Sequence, residues 1–183
     1  MAACQSRHGE NLTTSSSLQI RPAMEVDAAL LFQAEHQTSM IPGRLISCPD
    51  ELDPSAFAAK IVWLRECGCY LVAQAEGQPV GHASLEPLPL RAMAHVFSLT
   101  IVVHPGHTGK GIGHALMAAL LHWAEQQPHV EKLELRVREG NTAALRLYEH
   151  FGFVEEGRFE RRIKLADGRY LADISMAKML HFP

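Results

Sequence analysis

The sequence predicts one α/β domain, and three observations carry that prediction. Its 183 residues, 47% of them hydrophobic, suit a single core at the usual ~100–200 residues per domain. Apolar positions switch repeatedly between a period of 2 and a period near 3.6, so strands and amphipathic helices alternate along the chain. Residues 96–103, Val-Phe-Ser-Leu-Thr-Ile-Val-Val, are nearly all apolar or β-branched. That is the pattern of a strand buried on both faces, hence central in a sheet.

Residues 1–17 are polar and end in the run Thr13-Thr14-Ser15-Ser16-Ser17, which reads as a flexible leader before a domain of residues 18–183. Residues 18–21 form a short strand closed by Pro22. A helix follows over residues 25–35, with Glu25 and Asp27 in its first turn, where the helix dipole favours carboxylates. Periodicity is lost over residues 36–54, where Pro42, Gly43, Pro49 and Pro54 break the chain; a long irregular segment inside a compact domain is usually functional. Asp53 caps the next helix and Pro54 opens it, with Phe57, Ile61 and Leu64 on one face. Residues 70–75 and 80–85 make a hairpin turning at Gly77.

After the central strand, Ile112, Leu116, Ala119, Leu120 and Trp123 recur at helical spacing in a helix reaching about residue 127. Residues 132–138 alternate strictly, Leu133, Leu135 and Val137 on one face and Glu134, Arg136 and Arg138 on the other. Asn141 caps a short helix running to Phe151, and Gly152 stops it. Two last strands turn at Asp167-Gly168.

The formal charge of −3 argues against a nucleic-acid binder, which needs a basic surplus to displace counterions from phosphates. Divided at Leu90, the chain carries 5 basic and 10 acidic residues before it and 12 and 10 after it. A small anionic ligand therefore belongs with the second half. Four cysteines without framework density or zinc-site spacing fit a reducing compartment. The polar leader has no signal-peptide core, and the apolar run of residues 115–121 is too short to span a bilayer. A cytoplasmic protein is expected. His104, His107 and His114 match no ligand spacing, so no metal is expected.

The strongest chemical signal is Val103-His-Pro-Gly-His-Thr-Gly-Lys-Gly-Ile-Gly113, where the buried strand runs through a glycine-rich turn into a helix. Such a turn aims backbone amides at an anion, and the new helix adds its free N–H groups and dipole. A tight turn that merely requires glycine is the competing reading. A Walker A loop does not fit, because the spacer from Gly106 to Lys110 is short and Gly111 follows the lysine. A dinucleotide fingerprint does not fit either, since Gly109, Gly111 and Gly113 alternate and the next strand ends in Arg138.

The segment does resemble the GNAT superfamily of N-acetyltransferases. That family places Arg or Gln, two residues, Gly, one residue, and Gly or Ala after a strand ending in Val-x-Pro. Here Val103-His104-Pro105 precedes Thr108-Gly109-Lys110-Gly111-Ile112-Gly113, with Thr108 where Arg or Gln is usual. Downstream, Asn141, Ala144, Tyr148, Gly152 and Phe153 match a second family motif. The ending is similar to the branch acting on amino acids, small amines or protein termini.

The resemblance implies a three-layer α/β fold with a mixed, mostly antiparallel sheet, a splayed central strand pair and flanking helices. It implies acetyl-CoA as co-substrate, with a bulged strand over residues 98–103 whose Ile101, Val102 and Val103 backbone holds the acyl arm. Amides of Gly109, Lys110, Gly111, Ile112, Gly113 and His114 would take the pyrophosphate, beside Thr108, with Asn141 as a further contact. Tyr148 occupies the position of the general acid that protonates the leaving thiolate. Its competing reading is a core aromatic on the face shared by Ala144 and Phe151.

For the base, the Glu found in relatives that acetylate ribosomal-protein termini is replaced by Arg136, which leaves Glu134 and Glu86 as candidates. Both are equally readable as solvated surface charges. Cys67-Gly-Cys69 lies far from the glycine turn, so direct transfer from thioester to amine is expected, without an acyl-enzyme. Arg44 is a candidate for a substrate carboxylate, with an exposed arginine of no specific role as the competing reading. The expected partner is a small-molecule or protein amine, with no nucleic acid or membrane, and the late strands offer an edge to a second copy in a homodimer. The alternative is a non-catalytic acyl-CoA-binding regulatory module that kept the pocket and lost the chemistry.

Overall fold

A computed structural model describes residues 18–45 and 47–180; the expected leader over residues 1–17 lies outside the described residues. Seven strands form one sheet in the order β1-β2-β3-β4-β5-β7-β6. They are β1 (Gln19–Pro22), β2 (Cys69–Ala75), β3 (Gln78–Pro87), β4 (Val96–Val103), β5 (Lys132–Arg138), β6 (Val154–Lys164) and β7 (Tyr170–Met179). The helices are α1 (Ala28–Ser39), α2 (Pro54–Cys67), α3 (Ile112–Glu125) and α4 (Thr142–His150). The largely apolar and β-branched strand β4 is the middle one of the seven, as its composition predicts.

Helix α1 runs through Ser39, past the expected end at residue 35, after a three-residue 3-10 turn at Glu25–Asp27. His36 in the last turn suits the negative end of the dipole, and the Thr38 hydroxyl donates to the Ala34 carbonyl at 2.7 Å, filling its need inside the helix. The irregular segment is correspondingly shorter. Helix α2 starts as expected, with the Asp53 carboxylate accepting from the Ser55 amide at 2.9 Å.

The helices form layers on the two faces of the sheet. Against one face, Leu116, Met117 and Leu120 of α3 are completely buried with Leu85, Phe97 and Leu133 of the sheet. Against the other, Leu31 of α1 and Ile61 and Leu64 of α2 close over Val72. Each fully buried leucine or isoleucine contributes about 1.5–3 kcal/mol of transfer free energy, which is what clamps both layers to the sheet.

Only β4 and β5 run parallel, because the α3 crossover between them returns the chain in the same direction. Their pairing covers Val96↔Lys132, Phe97↔Leu133 and Ser98↔Glu134, and then stops. Beyond that point β4 stays paired with β3 as far as Val103↔Gly81, and β5 stays paired with β7 as far as Arg138↔Asp173. The two strands are pulled apart by their outer neighbours, and each turns one unpaired edge into the gap.

The expected bulge over residues 98–103 is absent from the β3–β4 ladder, whose register is unbroken from Gly81↔Val103 to Pro87↔Phe97. Divergence from β5 frees the edge of β4 without an inserted residue. The same divergence explains why Ser98, Thr100, Ile101 and Val103 are only half-buried in an otherwise buried strand.

Candidate active site

The gap between β4 and β5 opens into a cavity of about 660 Å³. Its walls are residues 98–103 of β4 and 136–138 of β5, the glycine turn, and the inner face of α4. From the opposite side of the sheet come Glu35 and Thr38 of α1, Arg44, Lys60, and Tyr70, His82 and Ser84 of β2 and β3. One cavity therefore passes through the sheet plane and meets both helical layers.

The glycine turn needs its glycines for two different reasons. Gly109 and Gly111 have φ of +76° and +77°, and a Cβ at either would meet nothing within 4 Å, so the backbone conformation alone requires glycine there. Gly111 is also the N-cap of α3. Gly113 lies inside the helix, where a Cβ would sit 3.3 Å from Leu147 Cδ2; glycine lets α3 and α4 approach beside the cavity. The first amides of α3 have no intrahelical acceptor. Thr108, Gly109, Gly111, Gly113 and His114 line the cavity. Lys110 is exposed, and the Ile112 side chain is buried in the core, leaving only its backbone for a ligand. A free strand edge and a cradle of unpaired amides fit the pantetheine arm and pyrophosphate of coenzyme A.

Asn141, the N-cap of α4, and Tyr148 within that helix both line this cavity. Asn141 also caps the helix, its Oδ1 accepting from the Ala144 amide at 3.4 Å. Tyr148 is buried against Phe153, with ring centroids 6.0 Å apart, so it packs in the core and lines the cavity at once. Burial pushes the Tyr148 phenol up to about 12, with Arg138 opposing that shift. The group is therefore a protonated acid at neutral pH, with a guanidinium nearby to stabilise its phenolate.

The two acids singled out from sequence are placed outside the cavity wall. Glu134 sits where β4 and β5 part, its carboxylate 2.9 Å from Lys132 Nζ. Glu86 is 2.5 Å from Lys60 Nζ and accepts from the Ser84 hydroxyl at 3.3 Å, one residue removed from the lining. Cys69 is likewise off the wall, and burial pushes its thiol up to about 12, which makes it a poor nucleophile.

The acid that does line the cavity is Glu35. Its Oε2 lies 3.1 Å from His82 Nε2, His82 Nδ1 lies 3.0 Å from His104 Nε2, and His104 Nδ1–H donates to the Pro79 carbonyl at 3.0 Å. His82 and His104 are buried, at 2% and 5% exposure. Burial holds His104 down to about 4, so its ring is neutral. Neither Glu35 nor His82 stands out in the sequence. The available signal was the polar pair His82 and Ser84 at alternate positions in the middle of the strand, which β pleating turns to one face.

The model of the acetyltransferase (GNAT) family matches residues 33–153, more than half of the chain. The chain belongs to this family. It is 28% identical over 109 residues to an L-amino acid N-acetyltransferase of Escherichia coli K12, covering 60% of this chain and 67% of that one. It is 27% identical over 135 residues to a phosphinothricin N-acetyltransferase of Alcaligenes faecalis, covering 73% and 66%. The chain thus spans about two thirds of the length of both relatives. Among solved structures, a ribosomal-protein-alanine N-acetyltransferase from Brucella melitensis superposes with a TM-score of 0.80 at 30% identity, over 89% of this chain and 100% of that one. A phosphinothricin acetyltransferase from Sinorhizobium meliloti, solved with acetyl-CoA, shares the fold at a TM-score of 0.81 and 19% identity, over 89% and 88%. The protein is an acetyl-CoA-dependent N-acetyltransferase. Among the described residues, no helix is long and apolar enough to cross a membrane.

On the far side of the sheet from the glycine turn, this acetyltransferase concentrates positive charge. Arg138, although on the polar face of β5, is only 8% exposed, because the loop after α1 folds over it. Its Nη1 donates to the carbonyls of Gly43 and Arg44, and its Nε has no partner. Asp173, its register neighbour on β7, is bonded through Oδ2 to Arg136 and Arg162, at 3.2 and 3.3 Å, while its Oδ1 is unpaired. Two guanidiniums share one buried carboxylate with Arg138 beside them, and Arg44 adds a further positive charge at the wall. Glu35 is the sole acid among the lining residues.

Proposed function

We propose that the acetyl acceptor is a small molecule carrying both an amine and a carboxylate, an amino acid or close relative. The observation that carries this reading is Arg138, a guanidinium buried in the cavity wall with its Nε unpaired. Leaving such a donor without a partner is costly, and a carboxylate is its natural complement. Arg44 and Arg136 line the same region and supply further donors. A polyamine would need an acidic wall, which one lining glutamate does not provide. The similarity to an amino-acid acetyltransferase supports the same direction.

In this reading the unpaired backbone edge at Ile101, Val102 and Val103 holds the pantetheine arm as a mock strand. The amides from Gly109 to His114, with Thr108, Lys110 and Asn141 nearby, take the phosphates. The acceptor enters from the α1 side, so thioester and amine meet in the gap between β4 and β5. The neutral amine attacks the thioester carbonyl carbon, the C–S bond breaks, the acylated nitrogen gives up one N–H proton to solvent, and Tyr148 protonates the departing thiolate. Glu134 and Glu86, held by lysines outside the wall, are the weaker choices for proton removal.

Thiol release from acetyl-CoA with a panel of L-amino acids, their carboxamides, polyamines and alanine-terminated peptides tests the assignment. Free amino acids are expected to react and their carboxamides to lose most of the rate. Faster turnover of carboxamides or polyamines would overturn the carboxylate reading, and preference for peptides would replace it with a protein acceptor.

A further inference from the structure

We infer that Glu35 and His82 together form the general base of the transfer, and that His104 is a positioning residue that fixes their proton arrangement. The inference rests on the acetyl-transfer reading of the cavity and supplies the proton acceptor that reading lacks.

The argument is a count of donors and acceptors along the buried chain. His104 Nδ1 faces the Pro79 carbonyl, which can only accept, so this nitrogen carries the ring proton. Neutral His104 therefore presents a lone pair at Nε2, and His82 Nδ1 must donate to it. His82 Nε2 is then a lone pair unless protonated, and it faces a carboxylate oxygen of Glu35 at 3.1 Å. Two acceptors at that distance repel, whereas one added proton between them makes a charge-assisted hydrogen bond. The pair is thus built to capture one proton, and His104 removes the tautomer in which His82 would satisfy Glu35 while neutral. The same three side chains do not make a metal site, since their nitrogens are spent on one another instead of converging on one point.

The location suits the chemistry. Glu35 is partly open to the cavity, its side chain 20% exposed, whereas His82, at 3%, stands at the wall behind it. An acceptor arriving as an ammonium meets the pair first. One N–H bond of the ammonium breaks and the proton passes to the space between Glu35 Oε2 and His82 Nε2. The freed electron pair attacks the thioester carbon and the C–S electrons leave on sulfur. A second N–H bond of the now cationic nitrogen breaks, that proton passing through the cavity to solvent, and the Tyr148 proton ends on the sulfur. The proton on the Glu35–His82 pair returns to solvent through the cavity, and Tyr148 is recharged from solvent. The sum is one acetylamide, one free thiol and one released proton.

Several titratable or charged groups surround the pair and shape its pH response. Tyr70 of β2 stacks near His82, with ring centroids 5.9 Å apart, and stays a phenol because burial and the charges of Glu35, Glu86 and Asp27 all raise it. Lys60 of α2 lies 6.0 Å above the Tyr70 ring and is paired with Glu86 of β3. His107, in the glycine turn, adds to the forces holding His104 neutral.

The test is a pH–rate profile of Glu35→Gln and His82→Asn with the fastest acceptor found in the panel above, beside coenzyme A affinity by calorimetry. Removal of a general base should lower kcat/KM about 100-fold near pH 7. The deficit should shrink steadily above the pKa of the acceptor's own amine, where no base is needed, with coenzyme A affinity unchanged. His104→Gln can accept from His82 and donate to Pro79, and should keep most activity; His104→Leu should reproduce the low-pH deficit.

Nitrogen-15 imidazole spectra of the wild-type protein should show His104 as the neutral Nδ1–H tautomer. A deficit of equal size at every pH, no deficit, or an Nε2–H tautomer at His104 would each overturn the inference. If the panel favours an amine without a carboxylate, the carboxylate reading fails while the profile, run with that amine, still judges the base.

Discussion

The cavity has two halves that recognise ligands by different means. On the α3–α4 side, the groups offered are main-chain amides and a bare strand edge, placed by Gly109, Gly111 and the divergence of β4 from β5. On the α1–α2 side, they are side chains from widely separated positions: Glu35, Arg44, Tyr70, His82 and Arg138. A main-chain site needs only a local backbone path, so it leaves a short, contiguous mark in sequence. A side-chain site is assembled across the sheet and leaves single residues with no spacing rule. Such a division lets one cofactor grip serve many acceptors, because the acceptor side changes by point substitutions alone.

The sharpest way to break this contrast is Gly111→Trp. The indole projects from the amide cradle, and loss of two or more charge-assisted hydrogen bonds should weaken coenzyme A binding more than about 100-fold by calorimetry. Unaltered affinity would remove the glycine turn from the cofactor half. Tyr148→Phe stands at the meeting point of the halves and should lower kcat about 100-fold with coenzyme A affinity intact. Equal loss of both would make Tyr148 a packing residue only.

Arg138→Met addresses the acceptor half alone, and should raise KM for an amino-acid acceptor about 10-fold or more through the lost charged hydrogen bond. Thermal stability should hold or rise, because an apolar side chain of similar length replaces an incompletely paired buried charge. A fall in melting temperature with unchanged KM would assign Arg138 to the fold.

The smallest effect concerns acid stability. Folded His104 titrates at about 4 instead of 6.5, chiefly through burial. The unfolded chain therefore binds this proton first, and the contribution of the neutral ring is complete above pH 6.5 and is lost as the pH falls from 6.5 toward 4. Urea midpoints across that range should fall less steeply in His104→Gln than in the wild type.

Legibility followed the same division. The strand boundaries of β4 and β5, the Asp53 cap of α2 and the Asn141 cap of α4 were readable because each depends on neighbours in the chain. The bulge implied by family resemblance was not found, since continuous pairing with β3 governs β4 through Val103. Glu134 and Glu86 are on suitable strands, yet Lys132 and Lys60 hold them beside the cavity instead of within it. Arg138 falls on the polar face of an alternating strand; the loop carrying Gly43 and Arg44 is what buries it.

By itself the sequence determined the element order, the central strand, the glycine turn into α3 and the position of Tyr148, because hydrophobic period, capping and positive φ are properties of short stretches of chain. Tertiary structure alone decided that β4 and β5 part after Ser98, that Glu35 meets His82 from another layer, and that three arginines gather around Asp173. Those outcomes depend on which strands pair and which helices cover them, and the burial that gives these groups their chemistry exists only once the layers have closed.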